Sequence, residues 1–310
     1  MKLFTLLVLM HSSLGAILLP DPRRRFNLPP KVLPPKISHY PLITGDTFRC
    51  FCDCWADEHC MDFNPTLVNK GTTVFVSLKY IDFFLETILP EIQNPFILVT
   101  SNGDGTIDER YLPFVENGKI IKWFGRNIVV KHPRLCCIPL GVNWVSNMTR
   151  PLIEDYFSNL KRENYFSEKS IYCYLNIRNT HPSRRDALDI FSKKPFCTIS
   201  KALPFETYMS RLASSRFVIS PRGWNIDCFR TWEALYAGSI PVVESRGIND
   251  VYEGLPVIIV DDLNAVTQEF LNAEFEKLKR KTFQLERLHA QYWLDKITAN
   301  AHELEVASSL

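Results

Sequence analysis

The pattern of apolar runs and amphipathic segments along the chain predicts an alternating α/β fold. Short apolar, β-branched runs are separated by stretches with helical periodicity and by loops containing glycine or proline. Parallel strands covered by helices on both faces give this pattern. The predicted strands are 74–78, 96–100, 119–123, 128–130, 171–177, 217–220, 239–244 and 255–260. The predicted helices are 80–89, which Pro90 ends, then 151–166, 204–214 and 227–238, with further helices in 267–303.

The stretch 217–244, FVISPRGWNIDCFRTWEALYAGSIPVVE, carries the strongest signal. It predicts a strand, a loop with Gly223, a helix and a second strand. Asp227 is the expected N-cap of the helix, and Gly238 is its expected C-terminal stop. Helical periodicity gives the helix an apolar arc that packs on a sheet, formed by Cys228, Phe229, Trp232, Leu235 and Tyr236. The opposite arc faces a cleft and is formed by Asp227, Arg230, Thr231 and Glu233.

This helix predicts an anion site at its beginning. Its first turn offers free N–H groups and a positive dipole end, and Arg222 and Arg230 flank it. Gly223 lets the backbone approach a ligand closely. A diphosphate suits this combination, and Glu233, almost two turns further on, is placed to accept hydrogen bonds from ribose hydroxyls. The alternative interpretation is an ordinary amphipathic helix with a solvated charged face.

The same residues resemble the donor-binding half of the exostosin family of glycosyltransferases. The motif consists of Ser-Pro-x-Gly, Arg-x-x-Glu and Gly-x-Ile-Pro-Val-Val, in SPRGWNIDCFRTWEALYAGSIPVVES. The resemblance is dense over 208–267 and fainter over 119–144. It implies two Rossmann-like domains facing across a cleft, the GT-B arrangement, with the last helix packing back on the N-terminal domain.

The resemblance also implies how the chain works. It implies a nucleotide-sugar donor, which we expect to be UDP-linked, a glycan or glycoprotein acceptor, and transfer with inversion. It implies no obligatory metal and no bound cofactor. Ser220 begins the donor segment, and an arginine that helps to hold the diphosphate would correspond to Arg178 or Arg185, which follow strand 171–177.

An inverting transferase needs a general base to take a proton from the acceptor hydroxyl, and two residues are candidates. Asp104 lies in the loop SNGDGTID, directly after a predicted strand, where open α/β sheets bind ligands. The alternative is that Asp104 only shapes a turn with Gly103 and Gly105. The loop also faintly resembles a calcium-binding loop, but two of the main ligands of such a loop are missing. His132 is the second candidate, with a structural or merely solvated histidine as the alternative.

The N-terminal region predicts entry into the secretory pathway, with the Golgi, the endoplasmic reticulum lumen or secretion as destinations. Residues 1–16 have the charged start and short apolar core of a signal peptide. The alternative is an uncleaved anchor, which is the only case in which the membrane would be a partner. Residues 17–45 form a proline-rich linker. Asn147 begins a glycosylation sequon, which agrees with a glycoprotein on this route.

The length and composition set the domain organisation. With 310 residues, 46% of them hydrophobic, the chain is long enough for two modest domains. We predict an N-terminal acceptor-side domain over 46–160, a nucleotide-sugar-binding domain over 161–267 and C-terminal helices over 268–310. The net charge of +2 gives no argument for nucleic acid as a partner.

The chain has nine cysteines, which could form disulfides, bind a metal or remain free thiols. Cys50, Cys52, Cys54 and Cys60 are clustered, which after a signal peptide favours disulfides with partners elsewhere in the chain, and in a cytosolic chain would indicate zinc. Because nine is odd, one thiol is left over, and Cys228 on the apolar arc is the expected free one. Cys136, Cys137, Cys173 and Cys197 complete the set.

Two other functions compete with the exostosin-like assignment. A fucosyltransferase-type enzyme of similar architecture would use a GDP-sugar. A glycan-binding or interaction protein on a degenerate glycosyltransferase fold would keep the cores without the cleft, but Arg230 and Glu233 are both retained.

Overall fold

A computed structural model describes residues 39–58, 63–143 and 149–306. These residues belong to one compact unit, Pro35–Leu310. The predicted signal peptide, most of the proline-rich linker, Cys60 and Asn147 lie outside the described residues. None of the described helices has the length and apolar character needed to cross a bilayer.

The first sheet has five parallel strands in sequence order. They are β1 Cys54–Ala56, β2 Thr73–Ser77, β3 Phe96–Ser101, β4 Ile120–Gly125 and β5 Leu135–Cys137. The accompanying helices are α1 Gly45–Phe51, α2 Ile81–Phe83 with a π-helical turn Phe84–Ile88, α3 Leu112–Glu116, α4 Arg150–Ser158 and α5 Arg162–Phe166. Every residue of β2 and β3 is buried, as expected of strands covered on both faces.

The second sheet is also parallel and five-stranded, but its strand order reverses. Its strands are β6 Ile171–Asn176, β7 Cys197–Ser200, β8 Ser215–Ile219, β9 Ile240–Glu244 and β10 Ile258–Val260, arranged in the order β10-β9-β8-β6-β7. Its helices are α6 Pro182–Phe191, α7 Phe205–Ala213 and α8 Phe229–Tyr236, and α9 Gln268–Lys279 and α10 Ala290–Val306 follow. The order reverses between β6 and β8, and ligands of open α/β sheets bind outside the carboxyl ends of the strands at such a point.

The structure confirms the predicted α/β architecture and corrects several elements. Residues 128–130 are not a strand: Asn127 adopts a left-handed conformation, with φ 54°, directly after β4, and only an isolated bridge joins Ile107 to Ile128. The predicted helix 151–166 is two helices, α4 and α5. Pro90 does not end the helical segment after β2, because it lies in the first turn of a 3-10 helix, Leu89–Glu91, where its missing N–H is tolerated.

The carboxyl ends of the two sheets face each other. The loop after β8 donates a hydrogen bond from Asn225 Nδ2 to Asp104 Oδ1 in the loop after β3, at 2.5 Å. Asn127, after β4, donates from Nδ2 to Asn225 Oδ1 at 3.1 Å and accepts from the backbone N–H of Asp227 at 3.1 Å. We call these three contacts the polar bridge.

A continuous apolar core joins the two sheets. It includes Phe75 of the first sheet, Phe217 of the second and Trp293 of α10. The C-terminal helix α10 packs against α1 and β3, and the N–H of Ala290 donates to the Pro41 carbonyl at 3.0 Å. Two facing Rossmann-like sheets with the last helix returned to the first are the expected GT-B arrangement. All strands of the first sheet come before residue 160 in the sequence, and all strands of the second sheet come after it. The limits given above for the domains stay a prediction.

Candidate functional site

A pocket of about 380 Å³ lies where β6 and β7 end and α8 begins, beside the reversal in strand order. Its volume falls in the range typical of small-molecule sites. Its residues come from the segment after β5, from the end of β6, from the loops after β6 and β7, and from α6, α7 and the start of α8. They are Asn143, Asn176, Arg178, Arg184, Ala202, Leu203, Phe205, Tyr208, Cys228, Phe229, Arg230 and Glu233. We call this cavity the arginine pocket.

The N-terminus of α8 opens on this pocket without a side-chain cap. The N-cap is Cys228, and no side-chain oxygen accepts from the first turn. The expectation that Asp227 caps the helix is therefore wrong. The N–H of Thr231 donates to the Cys228 carbonyl at 3.0 Å. Because no side chain caps the turn, the N–H groups of Phe229 and Arg230 are available to an anion in the pocket. Phe229 was placed on the sheet-facing arc, but it is 37% exposed and lines the pocket.

Arg230 and Arg184 carry donors that find no partner among the described residues. Arg230 donates from Nε to the Asn176 carbonyl at 2.9 Å, while its buried Nη1 has no acceptor. Arg184 donates from Nη1 to Thr180 Oγ1 at 3.0 Å, while its buried Nε has none. Unpaired guanidinium donors in the wall of a pocket are able to bind an anionic ligand through charge-assisted hydrogen bonds.

Gly223 makes room for one of these guanidinium groups. A Cβ at this position would lie 2.6 Å from Nη2 of Arg184, closer than non-bonded atoms approach. The glycine therefore lets Arg184 lie across the loop after β8. Its expected role was close approach to the ligand, whereas the structure shows close approach to the arginine that lines the pocket.

Glu233 lines the same pocket but is only 5% exposed. The hydroxyl of Tyr208 donates to its Oε2 at 2.7 Å. Burial raises the pKa of Glu233, whereas the hydrogen bond from Tyr208 and the charge of Arg230 act to lower it. The backbone N–H of Asn143 also donates to this carboxylate and lowers the pKa.

Besides Gly223, four residues expected to bind the donor do not line the arginine pocket. Arg185 is exposed on α6. Arg222 folds back on its own loop, donating to the carbonyls of Gly223 at 3.2 Å and Trp224 at 3.1 Å. Ser220 is buried and shares a 2.9 Å hydrogen bond with Thr231 of α8, so neither hydroxyl reaches the cavity.

Asp227 is the fourth, and it faces the interior. It is 2% exposed and accepts four hydrogen bonds. The donors are the backbone N–H groups of Leu140 at 2.9 Å and Cys228 at 2.8 Å, Trp232 Nε1 at 2.8 Å and the Tyr252 hydroxyl at 2.8 Å. Burial raises the pKa of Asp227, and the four donors oppose that rise. The residue therefore anchors α8 to the rest of the fold and does not contact a ligand in the pocket.

Neither candidate base lines the arginine pocket. Asp104 is exposed on the polar bridge, where Oδ1 accepts from Asn225 and Oδ2 is open. His132 lines a second cavity of about 320 Å³ between the loops that follow β4 and β9. Its Nδ1 accepts from the backbone N–H of Arg134 at 3.1 Å, so the neutral ring carries its proton on Nε2. In that tautomer Nε2 donates a hydrogen bond and has no lone pair with which to accept a proton.

The sequence places Arg178, Arg184 and Arg185 together beside the expected phosphate cleft, but Arg178 or Arg185 was preferred to Arg184 as the diphosphate ligand. Asn176 and Tyr208 were missed as pocket residues. His181 caps α6 by accepting from the Ser183 N–H at 3.2 Å. That cap sets the phase of the helix and turns Arg184 inward and Arg185 outward. The histidine before Pro182 is a signal for this start, because proline is favoured in the first turn of a helix.

The cysteines outside the N-terminal cluster hold free thiols. These are Cys136, Cys137, Cys173, Cys197 and Cys228. Cys228 is buried as expected, and its Sγ donates to the Pro221 carbonyl at 3.4 Å. Within the described ranges, no group of three or more histidine, cysteine or acidic side chains is arranged to hold a metal ion.

The architecture and the pocket define a class. Two parallel α/β sheets face each other through their carboxyl ends, a C-terminal helix packs back on the first, and a cationic pocket lies at the strand reversal. This is the fold of GT-B glycosyltransferases.

One family model matches part of the second half of the chain. Residues 180–265 match the family model described as the RXYLT1 C-terminal domain, a glycosyltransferase domain. The match covers β7 to β10 and α8 but not β6, and it supports glycosyl transfer in general. The narrower exostosin-like assignment is not confirmed and stays a prediction. No curated protein sequence matches the chain significantly.

Solved structures show only distant likeness. An α,α-trehalose 6-phosphate synthase from Burkholderia multivorans aligns with a TM-score of 0.43 and 9% identity, over 79% of this chain and 73% of that one. A GtfA/B complex aligns with a TM-score of 0.32, 12% identity and coverages of 79% and 57%. A glycotransferase of kitacinnamycin aligns with a TM-score of 0.33, 11% identity and coverages of 76% and 72%.

Proposed function

We propose that the chain transfers a sugar from a UDP-sugar to a glycan or glycoprotein acceptor, with inversion and without a required metal or other cofactor. The observation that carries this proposal is the arginine pocket. Buried, unsatisfied guanidinium donors of Arg184 and Arg230 meet the uncapped start of α8 at the strand reversal. That combination suits a diphosphate joined to a nucleoside and a sugar.

Different residues of the pocket bind different parts of the donor. Arg178, Arg184 and Arg230 face the diphosphate together with the first N–H groups of α8, and the Glu233 carboxylate accepts from a ribose hydroxyl. As the bond from the sugar to the diphosphate breaks, negative charge builds on the leaving oxygen. Fixed guanidinium groups and helix N–H groups stabilise that charge without reorganising, which supplies a large part of the rate.

The acceptor side is proposed to lie on the first sheet. Asp104 is the better candidate base, because its open Oδ2 can take a proton, whereas His132 has its proton on Nε2 and can only donate to an acceptor.

The secretory pathway is the proposed location, supported by the similarity of residues 180–265 to the RXYLT1 C-terminal domain.

Removing Arg230 tests the donor site. We expect Arg230→Met to weaken nucleotide-sugar binding about 10- to 100-fold, because a charge-assisted hydrogen bond contributes about 1.5–3 kcal/mol. Thermal-shift and calorimetric titrations with a panel of UDP-, GDP- and CMP-sugars measure the effect. Arg280→Met, at the exposed end of α9, is the matched control and should bind as the wild type does.

The same panel separates the competing functions. Stabilisation by GDP-sugars alone would replace the UDP assignment by the fucosyltransferase type. The absence of stabilisation by any nucleotide sugar would favour a glycan-binding protein on this fold. Wild-type affinity in Arg230→Met would contradict the assignment of the diphosphate to the arginine pocket.

The pH dependence of donor binding tests Glu233. An ionised carboxylate accepts stronger hydrogen bonds than a neutral one, so binding should weaken as pH falls through its pKa. Because burial raises that pKa, the loss should begin at a higher pH than for an ordinary glutamate. We expect about a 3- to 10-fold loss of affinity between about pH 7 and pH 5, measured by calorimetry. Glu233→Gln should bind weakly and without this dependence, and an unchanged pH profile in this variant would reject the ribose assignment.

A further inference from the structure

Cys173 and Cys197 lie opposite each other on neighbouring strands. Cys173 is in β6, inside the second sheet, and Cys197 begins β7, one of the two edge strands, which among the described residues pairs with β6 alone. The two residues are partners in the parallel register. Residues in register on adjacent parallel strands point to the same face of the sheet, and Cys197 indeed packs against the core cluster that contains Cys173.

The spacing of the two cysteines suits a covalent bond. Neighbouring strands lie about 4.7–4.9 Å apart, and disulfides join residues whose Cα atoms are about 4.4–6.8 Å apart. The two thiols are close enough for Cys197 to raise the pKa of Cys173. An edge strand has no second neighbour to hold it, so β7 is able to shift slightly as a bond forms.

We propose that Cys173 and Cys197 are a redox-active pair that closes to a disulfide across β6 and β7. The co-reactant is a small-molecule or protein disulfide. The thiolate of Cys197 attacks one sulfur of that co-reactant, forming a mixed disulfide and releasing one thiol. The thiolate of Cys173 then attacks Cys197 Sγ, which closes the intramolecular bond and releases the second thiol. Two chain thiols are oxidised, and one external disulfide is reduced to two thiols.

The surroundings explain this order. Cys197 is only partly buried, so a co-reactant reaches it first, whereas Cys173 is fully buried. The hydrogen bond with Cys197, followed by burial, raises the pKa of Cys173, which makes it the weaker first nucleophile. The charge of Lys194 acts in the opposite direction on Cys173 and favours its thiolate in the second step.

The bond would stiffen two sides of the arginine pocket. The chain between the two cysteines contains Arg178 and α6 with Arg184, and the loop directly after β7 contributes Leu203. A disulfide restricts the unfolded chain between the residues that it joins and pins the edge strand in the folded state. The cross-link itself does not depend on the function proposed above.

The experiment uses the full chain, incubated with oxidised or reduced glutathione and then alkylated. We expect peptide mapping to show a Cys173–Cys197 linked pair after oxidation, lighter by about two hydrogens than the two free thiols. The midpoint temperature of unfolding should rise by about 5 °C on oxidation. The variant Cys197→Ser, at the accessible edge position, should show neither the linked peptide nor the rise in midpoint temperature. The matched control Cys228→Ser should show both.

Several outcomes would overturn the proposal. They are alkylation of both thiols after oxidation, linkage of either thiol to a different cysteine, and a temperature shift that persists in Cys197→Ser. The peptide map is independent of variant folding, so a poorly folded Cys173→Ser or Cys197→Ser would not obscure the result from the wild-type chain.

Discussion

Replacing Asp227 with alanine is expected to lower the free energy of unfolding by about 3–5 kcal/mol, the largest stability effect that we predict. The carboxylate accepts four hydrogen bonds in the interior, including those from the Leu140 N–H and Trp232 Nε1. Without it, these buried donors lose their acceptor, and each unsatisfied donor costs about 1–3 kcal/mol. Urea unfolding followed by circular dichroism measures the change.

Two matched variants bracket this effect. Asp227→Asn keeps one side-chain oxygen as an acceptor and should lose less than Asp227→Ala. Glu276→Ala removes a carboxylate from an exposed ion pair with Lys279 and should change stability by less than about 1 kcal/mol. A loss in Asp227→Ala no greater than that of Glu276→Ala would show that the buried network does not anchor α8.

Replacing Asp104 with asparagine is expected to reduce turnover by about 100-fold or more while leaving donor affinity unchanged. General-base catalysis contributes about 10²- to 10⁴-fold, and asparagine keeps the shape but takes no proton. Donor affinity should stay because Asp104 does not line the arginine pocket. Release of the nucleoside diphosphate from the donor selected by the binding panel, in the presence of candidate acceptor glycans, measures turnover.

The neighbouring amide supplies the control for this prediction. Asn225→Ala removes the hydrogen bond to Asp104 Oδ1 but leaves the carboxylate in place, so its effect on turnover should be smaller. Turnover in Asp104→Asn close to that of the wild type would exclude this residue as the base. A large loss in His132→Gln alone would then return the assignment to the second cavity.

The parts of the fold that the sequence predicts well are those set by local pattern. Strands β8 and β9 each contain a short apolar run, Phe217–Ile219 and Ile240–Val243, and Gly238, with φ 73°, follows the end of α8 as expected. The phase of α8 also brings Arg230 and Glu233 to one cavity. Strand β7 was missed because it is a short edge strand whose four residues are half-buried or exposed and do not alternate.

The parts that the sequence does not predict depend on contacts between distant residues. Asp227 was expected to face the cleft, but its partners Leu140 and Tyr252 lie on other elements, and no local pattern reveals that they converge on it. Arg222 is next to Gly223 in the sequence, yet the turn of the backbone directs its guanidinium to its own loop. Arg184 depends on where α6 begins, which the cap at His181 decides.

The continuous apolar core has a consequence for how this chain can be divided. Phe75, Phe217 and Trp293 belong to one cluster, although they come from the first sheet, the second sheet and the last helix. A fragment that ends near residue 160 would leave Phe75 and its neighbours without the aromatic surface of α10, and the complementary fragment would display that surface to water. Burial of apolar area is the main stabilising contribution to a fold, so each fragment would tend to self-associate. Studies of either half are therefore best made by substitution within the intact chain.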